Sequence, residues 1–312
     1  MMAAVGSRPD NPDSRFGLVI DWRFHQANRW VSALTGFLVD AIVATFRPVI
    51  ISSQFDYWRH KRHLDCIVSL EPGWAAPRIR YDARHSAVKA VFYSDPHYRT
   101  EERRSYFDRN GFDYVFSYYR APFFRHFTDF PEDKFVHMPW AIPDGYVGQK
   151  PIIPNSNEVM VFGGRKGDAY DVRNWCRNQP GVTSFDYSGV ENKQLSDAEY
   201  FHWLSSLDAA IAAGSSMDKF DLVTPKYFEI ASAGALLLGQ SCRDLEVLGF
   251  DDSNMLVFDQ HDFRSKLNHY RENYQGFVAR REAGRALIRK HHLVSHRLAR
   301  IREVMQCDSA PH

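Results

Sequence analysis

The segment Thr224-Pro-Lys-Tyr-Phe-Glu-Ile-Ala-Ser-Ala-Gly234 holds the most suggestive spacing in the chain. Thr224 suits a helix N-cap and Pro225 the first helical position. A helix start leaves backbone N–H groups free and carries the positive end of the dipole, so it can seat a diphosphate. Lys226 adds a cation in that first turn, and Gly234 closes the helix. Glu229 stands four residues after Pro225, on the same face. A carboxylate there can accept hydrogen bonds from the two vicinal hydroxyls of a ribose. Asp221 lies in the preceding loop, eight residues before Glu229. The same spacing also fits an ordinary capped helix with a surface glutamate.

Two further segments could take part. In Val159-Met-Val-Phe-Gly-Gly-Arg-Lys-Gly167, Gly163 and Gly164 follow an apolar run and would let a ligand approach the backbone. Arg165, Lys166 and, further on, Arg173 could balance a diphosphate, although a solvated basic turn reads equally well. The run is neither Gly-x-Gly-x-x-Gly nor a phosphate-binding loop ending in Lys-Ser/Thr. In Tyr93-Ser-Asp-Pro-His-Tyr-Arg99, Asp95 and His97 sit just past a strand, where a general base for an acceptor hydroxyl would belong; a polar turn with a capping aspartate is the plainer alternative. His25, after the first strand, is a weaker candidate of the same kind. His60/His63 and His291/His292 lack the partners and spacing of a metal site, and no Asp-x-Asp pair occurs.

The elements that must position these residues follow from hydrophobic patterning. Short Val/Ile/Phe-rich runs alternate with amphipathic stretches. In the first half the runs fall at 16–21, 47–52, 64–70, 88–93, 112–117 and 134–137, with helical patterns at 28–46, 100–109 and 119–128. This alternation predicts parallel sheets covered by helices on both faces. A Pro- and Gly-rich stretch from Pro139 to Asn157 reads as a linker and sets the expected boundary near 150. The pattern then restarts with strands at 159–162, 182–186, 208–213, 235–238 and 254–258. Ser196 and Glu199 make a capping box. The expectation is an α/β chain of two Rossmann-like domains, 1–150 (1–15 a disordered lead-in) and 151–275. A long helix is expected from about 276 to 306.

With 312 residues, 44% hydrophobic and 25% charged, the chain is globular, and its formal net charge of +1 does not point to nucleic acid. The four cysteines, Cys66, Cys176, Cys242 and Cys307, are widely spaced and read as reduced thiols of a cytoplasmic protein. The apolar stretch Trp30–Phe46 is slightly short for a membrane span, and Asp40 inside it would cost roughly 2.5–3.5 kcal/mol. It reads as a core helix; a peripheral membrane contact or a homodimer through helix 28–46 are the alternatives.

The second half resembles the group 1 glycosyltransferases, and within them the branch similar to the spore maturation protein CgeB. Four features carry the likeness: Val161-Phe-Gly-Gly164 followed nine residues on by Arg173; Thr224-Pro-Lys-Tyr-Phe-Glu-Ile-Ala-Ser-Ala-Gly-Ala-Leu-Leu-Leu238; Leu245–Asp259, joining an acidic turn to a late strand; and His292-Leu-Val-Ser-His-Arg297. The resemblance implies a fold of the GT-B type, with two Rossmann-like domains facing across a cleft, the acceptor on the first and a nucleoside diphosphate sugar on the second. The terminal helix, within 276–312, would cross back to the first domain. By the same resemblance Glu229 would bind the ribose, and Thr224, Lys226 and Arg173 the diphosphate. Asp221 stands where relatives have a glutamate that contacts the donor sugar. The expected activity is metal-independent transfer of a hexosyl-type group to a glycan or glycoconjugate hydroxyl. An epimerase of the same fold and a non-catalytic nucleotide-sugar-binding protein are the rivals.

Overall fold

The structure, a computed structural model, describes residues 11–28, 30–185 and 195–306. The chain divides into two compact units, 1–139 with 294–312, and 140–293.

The first unit runs β1 (Phe16–Val19), α1 (Trp22–Gln26), α2 (Ala33–Phe46), β2 (Val49–Ile51), α3 (Gln54–His60), β3 (Cys66–Ser69), β4 (Val88–Phe92), α4 (Thr100–Asn110), β5 (Tyr114–Ser117), α5 (Ala121–His126) and β6 (Phe135–His137). Its sheet has the order β2-β1-β3-β4-β5-β6, and every pairing is parallel. Phe16–Val19, Val49–Ile51 and Cys66–Ser69 are buried along their whole length. That is what a parallel strand covered on both faces requires.

The second unit runs β7 (Val159–Val161), α6 (Asp171–Arg177), β8 (Val182–Ser184), α7 (Asp197–Leu204), β9 (Ala209–Ala212), α8 (Pro225–Ala233), β10 (Leu236–Gln240), β11 (Leu256–Phe258), α9 (Phe263–Asn273) and α10 (Val278–His291). Its parallel sheet has the order β11-β10-β9-β7-β8. Val159, Val161, Ile211, Leu236, Leu238 and Phe258 join Phe263 and Tyr270 of α9 in one core. Read from their first two strands, both sheets follow the doubly wound order 2-1-3-4-5. Such a sheet opens a crevice where the strand order reverses, beyond the carboxyl ends of its strands. Here those points lie between β1 and β3, and between β7 and β9.

Three expectations need correction. The units divide at Pro139, not near 150. Prolines end regular structure without ending packing: in 140–150, Gly148 N–H donates to Ser232 O at 2.9 Å, and Tyr146 packs on Phe201 at 4.6 Å between ring centres. The long terminal helix is two helices, α10 and α11 (Val294–Met305), and α11 belongs to the first unit. The break falls where His292 is pinned. Its carbonyl accepts from Ile142 N–H at 2.9 Å, and its Nε2 donates to Leu248 O at 2.8 Å. Cys66 is disulfide-bonded, Cys176 and Cys242 are free, and Cys307 lies outside the described residues. Distance along a chain does not set distance in space, so the cysteine spacing no longer argues for a reducing compartment. Finally, α2 spans 33–46 and buries Leu34, Leu38, Val39 and Ile42 within its own unit, packing in part on α11. That is the core helix the sequence predicts. Among the described residues no helix is long and apolar enough to cross a membrane.

Candidate active site

In the second unit the chain leaves β7 at Phe162 and turns at Gly163, whose φ is +99°. A side chain cannot be placed there: a Cβ would lie 2.5 Å from Lys226 Cε and 3.2 Å from an Arg173 guanidinium nitrogen. The positive φ and this close approach together demand glycine. Arg173, from α6, reaches across the switch point. Its Nε donates to Ala213 O, just past β9, at 2.9 Å, and its other arm donates to Gly164 O at 3.3 Å. One helical turn on, Arg177 donates to Gly163 O, to Gly164 O at 3.4 Å and to Asn174 Oδ1 at 2.6 Å. Lys226 Nζ lies 4.2 Å over the Phe162 ring.

Three cations thus crowd one glycine turn, and burial makes each hold its proton less firmly. The Lys226 ammonium falls to about 8, with Glu229 opposing and Arg173 and Arg177 adding to the fall. Arg177 falls to about 10, and Arg173 is lowered as well. Arg173 and Arg177 bond only to carbonyl and amide oxygens and have no carboxylate partner among the described residues. Of the three, Arg173 is buried and Arg177 and Lys226 are half-buried, and buried charge is ordinarily paired.

Helix α8 starts at Pro225, as expected, and Gly234 ends it in a left-handed conformation at φ +81°. Thr224 has the extended backbone of an N-cap, yet its side chain makes no capping bond, contrary to expectation. Its Oγ1 is shielded from solvent without a hydrogen-bond partner. Glu229 is not the surface residue that spacing alone allowed; it is 5% exposed. Its Oε2 accepts from Tyr200 OH at 2.7 Å and lies 3.9 Å from Lys226 Nζ, which leaves Oε1 open to a ligand. Tyr200 reaches it from α7, whose start is fixed by the expected capping box: Ser196 N–H donates to the Glu199 carboxylate at 2.7 Å. Asp221 borders a separate polar hollow of about 280 Å³ with Ser216, Gln240, Ser241 and Arg243. Arg243 Nε stands 3.6 Å from the Asp221 carboxylate.

The structure therefore brings Gly163, Gly164, Arg173, Pro225, Lys226 and Glu229 together, with Thr224 at the rim and Asp221 beside it. It keeps Arg165 and Lys166 on the exposed tip of the turn; Arg165 donates to Ser184 Oγ at 3.3 Å. Sequence reasoning missed Arg177 and Tyr200. Arg177 had a signal, since it follows Arg173 by four residues on one helix face.

In the first unit Asp95 is exposed and His97 half-buried in the turn after β4. Desolvation by the surrounding protein raises the Asp95 carboxyl above its ordinary value, and the charge of His97 opposes that rise. The His97 ring lies 6.5 Å from that of His126. His25 holds a structural post. Trp30 Nε1 donates to its Nδ1 at 3.0 Å, so its Nε2 carries the proton and donates to Asp40 at 2.9 Å.

Residues 155–303 match the model of a family described as glycosyl transferase-like. No curated protein matches the chain. Among solved structures, Anabaena HepE in complex with UDP and glucose aligns with a TM-score of 0.64 at 9% identity, over 95% of this chain and 100% of that one. An α-glucosyltransferase in complex with UDP-glucose and DNA containing an abasic site aligns at 0.58 and 10%, over 94% and 98%. TarM aligns at 0.53 and 8%, over 78% of this chain and 55% of TarM. At such identities the likeness is one of fold, and that fold is the GT-B arrangement of two Rossmann-like domains. The family model falls within the second half of the chain, and the solved structures add a likeness of fold.

Proposed function

We propose that the second unit holds a nucleoside diphosphate sugar with its diphosphate against the Gly163–Gly164 turn, and that the chain transfers the sugar to a hydroxyl acceptor taken by the first unit. The observation that carries this reading is the partly buried cluster of Arg173, Arg177 and Lys226, whose two arginines have no carboxylate partner among the described residues. Lys226 and the N–H groups at the start of α8 meet the phosphate oxygens, and Glu229 Oε1 accepts from a ribose hydroxyl. Arg173 and Arg177 shape the turn and supply the field. As the bond to the sugar breaks, negative charge grows on the leaving diphosphate. Fixed cations in a dry site stabilise that charge more than the ground state, so the reading needs no metal. Asp221 and its polar hollow take the sugar. Membership of the CgeB-like branch belongs to this proposal and rests on the four sequence features.

If the transfer inverts the anomeric centre, Asp95 is the base. It stands in the turn after β4, and the desolvation that raises its proton affinity suits removal of a proton from a hydroxyl. A thermal-shift series tests the donor half, because a ligand that binds only the folded chain raises its apparent stability. UDP, the nucleotide in complex with HepE, and UDP-glucose should raise the melting temperature, and uridine should not. An unmoved melting temperature across nucleoside diphosphates and their sugars would remove the reading. Release of an isomerised sugar without an acceptor would replace it with epimerisation.

A further inference from the structure

A carboxylate and an ammonium that share a shielded place ordinarily close to a contact of about 2.7–2.9 Å. Glu229 and Lys226 do not. Both side chains are largely shielded and lie one turn apart on α8, yet Lys226 Nζ stays 3.9 Å from Glu229 Oε2. That same oxygen is taken by Tyr200, whose hydroxyl donates to it at 2.7 Å. The ammonium lies instead over the Phe162 ring, 4.2 Å from its centre. The pair is held open from two sides: a neutral donor occupies the oxygen, and a ring face holds the cation.

Tyr200 is firmly placed for this. It stands in the first turn of α7, where its N–H donates to Ser196 O at 2.9 Å beside the Ser196–Glu199 capping box. Its ring lies against those of Phe162, Phe201 and Trp203, at 6.3, 5.6 and 6.0 Å between centres. Burial, and then the charge of Glu229, raise the hydroxyl well above the ordinary tyrosine value, so it keeps its proton and stays a donor. A tyrosine gives Oε2 a hydrogen bond without giving it a charge. Glu229 so keeps its negative charge for a hydroxyl donor at Oε1, and Lys226 its positive charge for an anion.

We propose that Tyr200 is a positioning residue for the donor: by holding Glu229 Oε2 it keeps the glutamate turned to the ribose and clear of Lys226, so that the two charges serve different parts of one nucleotide. The inference rests on the reading that Lys226 meets the diphosphate and Glu229 the ribose. Without the hydroxyl, the ammonium would close on the vacated oxygen and each charge would be spent on the other.

The test is calorimetric titration of the full chain with UDP, 2′-deoxy-UDP and 3′-deoxy-UDP, in the wild type and in Tyr200→Phe. The wild type should bind UDP at least about ten-fold more tightly than one of the two deoxy nucleotides, the worth of a hydrogen bond to a charged group. Tyr200→Phe should shrink that preference below about three-fold. It should also raise the pH at which UDP binding weakens by roughly one unit, because the ammonium gains a closer carboxylate. The charged groups that act on that ammonium are Glu229 on its own helix and Arg173 and Arg177 of α6, with Tyr200 of α7 holding Glu229; only the Glu229 contact changes. When Lys226→Met is added to Tyr200→Phe, no ammonium is left to close on Glu229, and most of the preference should return. A tyrosine that only packs would weaken UDP and its deoxy forms equally, with no return. Cooperative denaturant melts show that the variants fold.

One measurement needs no substitution at Tyr200. Followed by NMR in the wild type, the Lys226 ammonium should titrate near 8; the value of an ordinary lysine would mean a closed pair and overturn the inference. A ribose preference that survives Tyr200→Phe would overturn this inference alone. If the wild type binds UDP but prefers neither ribose hydroxyl, the placing of Glu229 on the ribose has failed, and this inference with it. If UDP does not bind at all, the donor reading itself has failed.

Discussion

The second sheet brings Arg173, Arg177 and Lys226 to one glycine turn at its switch point, whereas the first sheet leads past β4 into a turn that carries Asp95 and His97. Both sheets share the order 2-1-3-4-5. Topology decides where a ligand can reach the backbone, and the residues just past each strand decide which ligand it is. Past β7 the chain places two glycines, which on the proposed reading admit phosphate; past β4 it places Tyr93-Ser94-Asp95 and offers an acid.

The contrast can be broken in a fixed order of effect. Asp95→Asn should lower turnover about 10²–10⁴-fold if transfer inverts, with donor affinity unchanged. An initial-rate assay beside a binding titration reads both, and the anomeric signal of the product by NMR shows whether inversion holds. Lys226→Met should cost about 10- to 100-fold in donor affinity, from the loss of one charge-assisted contact. With Lys226 intact, affinity should also fall above pH 8. The free ammonium releases its proton near 8, and the bound diphosphate favours the protonated form. Binding therefore weakens by up to about ten-fold per pH unit until the higher value of the complex is reached. The Met variant should show a flat profile over that range. Gly163→Ala should lower stability by about 1–3 kcal/mol through strain at positive φ, and should weaken the donor by pushing Lys226 aside; denaturant melts and titration report the two effects. Lys166→Ala, on the exposed tip, should change donor affinity less than about two-fold because solvent screens it. A large Lys166 effect would move the diphosphate away from the inner cluster.

Much of the second site was legible because its parts are local. Gly163-Gly164 follows its strand directly, and Pro225, Lys226, Glu229 and Gly234 lie on one helix, where spacing alone fixes the face. Arg177 lay within reach of the same logic. Tyr200 did not: it meets Glu229 from another helix, and no spacing rule joins residues 29 apart across two elements. The edge-on contact of Trp30 and Trp74 was illegible for the same reason, since the two rings come from separate segments. His25 looked like a candidate base until its two nitrogens were seen to be spent on Trp30 and Asp40. The break between α10 and α11 was hidden because His292 leaves the helix for a backbone partner at Ile142, a competition that helical periodicity does not record.

The central claim is that the cations at the second switch point bind a diphosphate. Calorimetric titration of the full chain with UDP and with uridine tests it most directly, in the wild type and in Lys226→Met. The account predicts that UDP binds at least about 100-fold more tightly than uridine, and that the Met variant loses most of that margin while its uridine affinity stays the same. Equal affinity for UDP and uridine in the wild type, or a margin untouched by Lys226→Met, would contradict it.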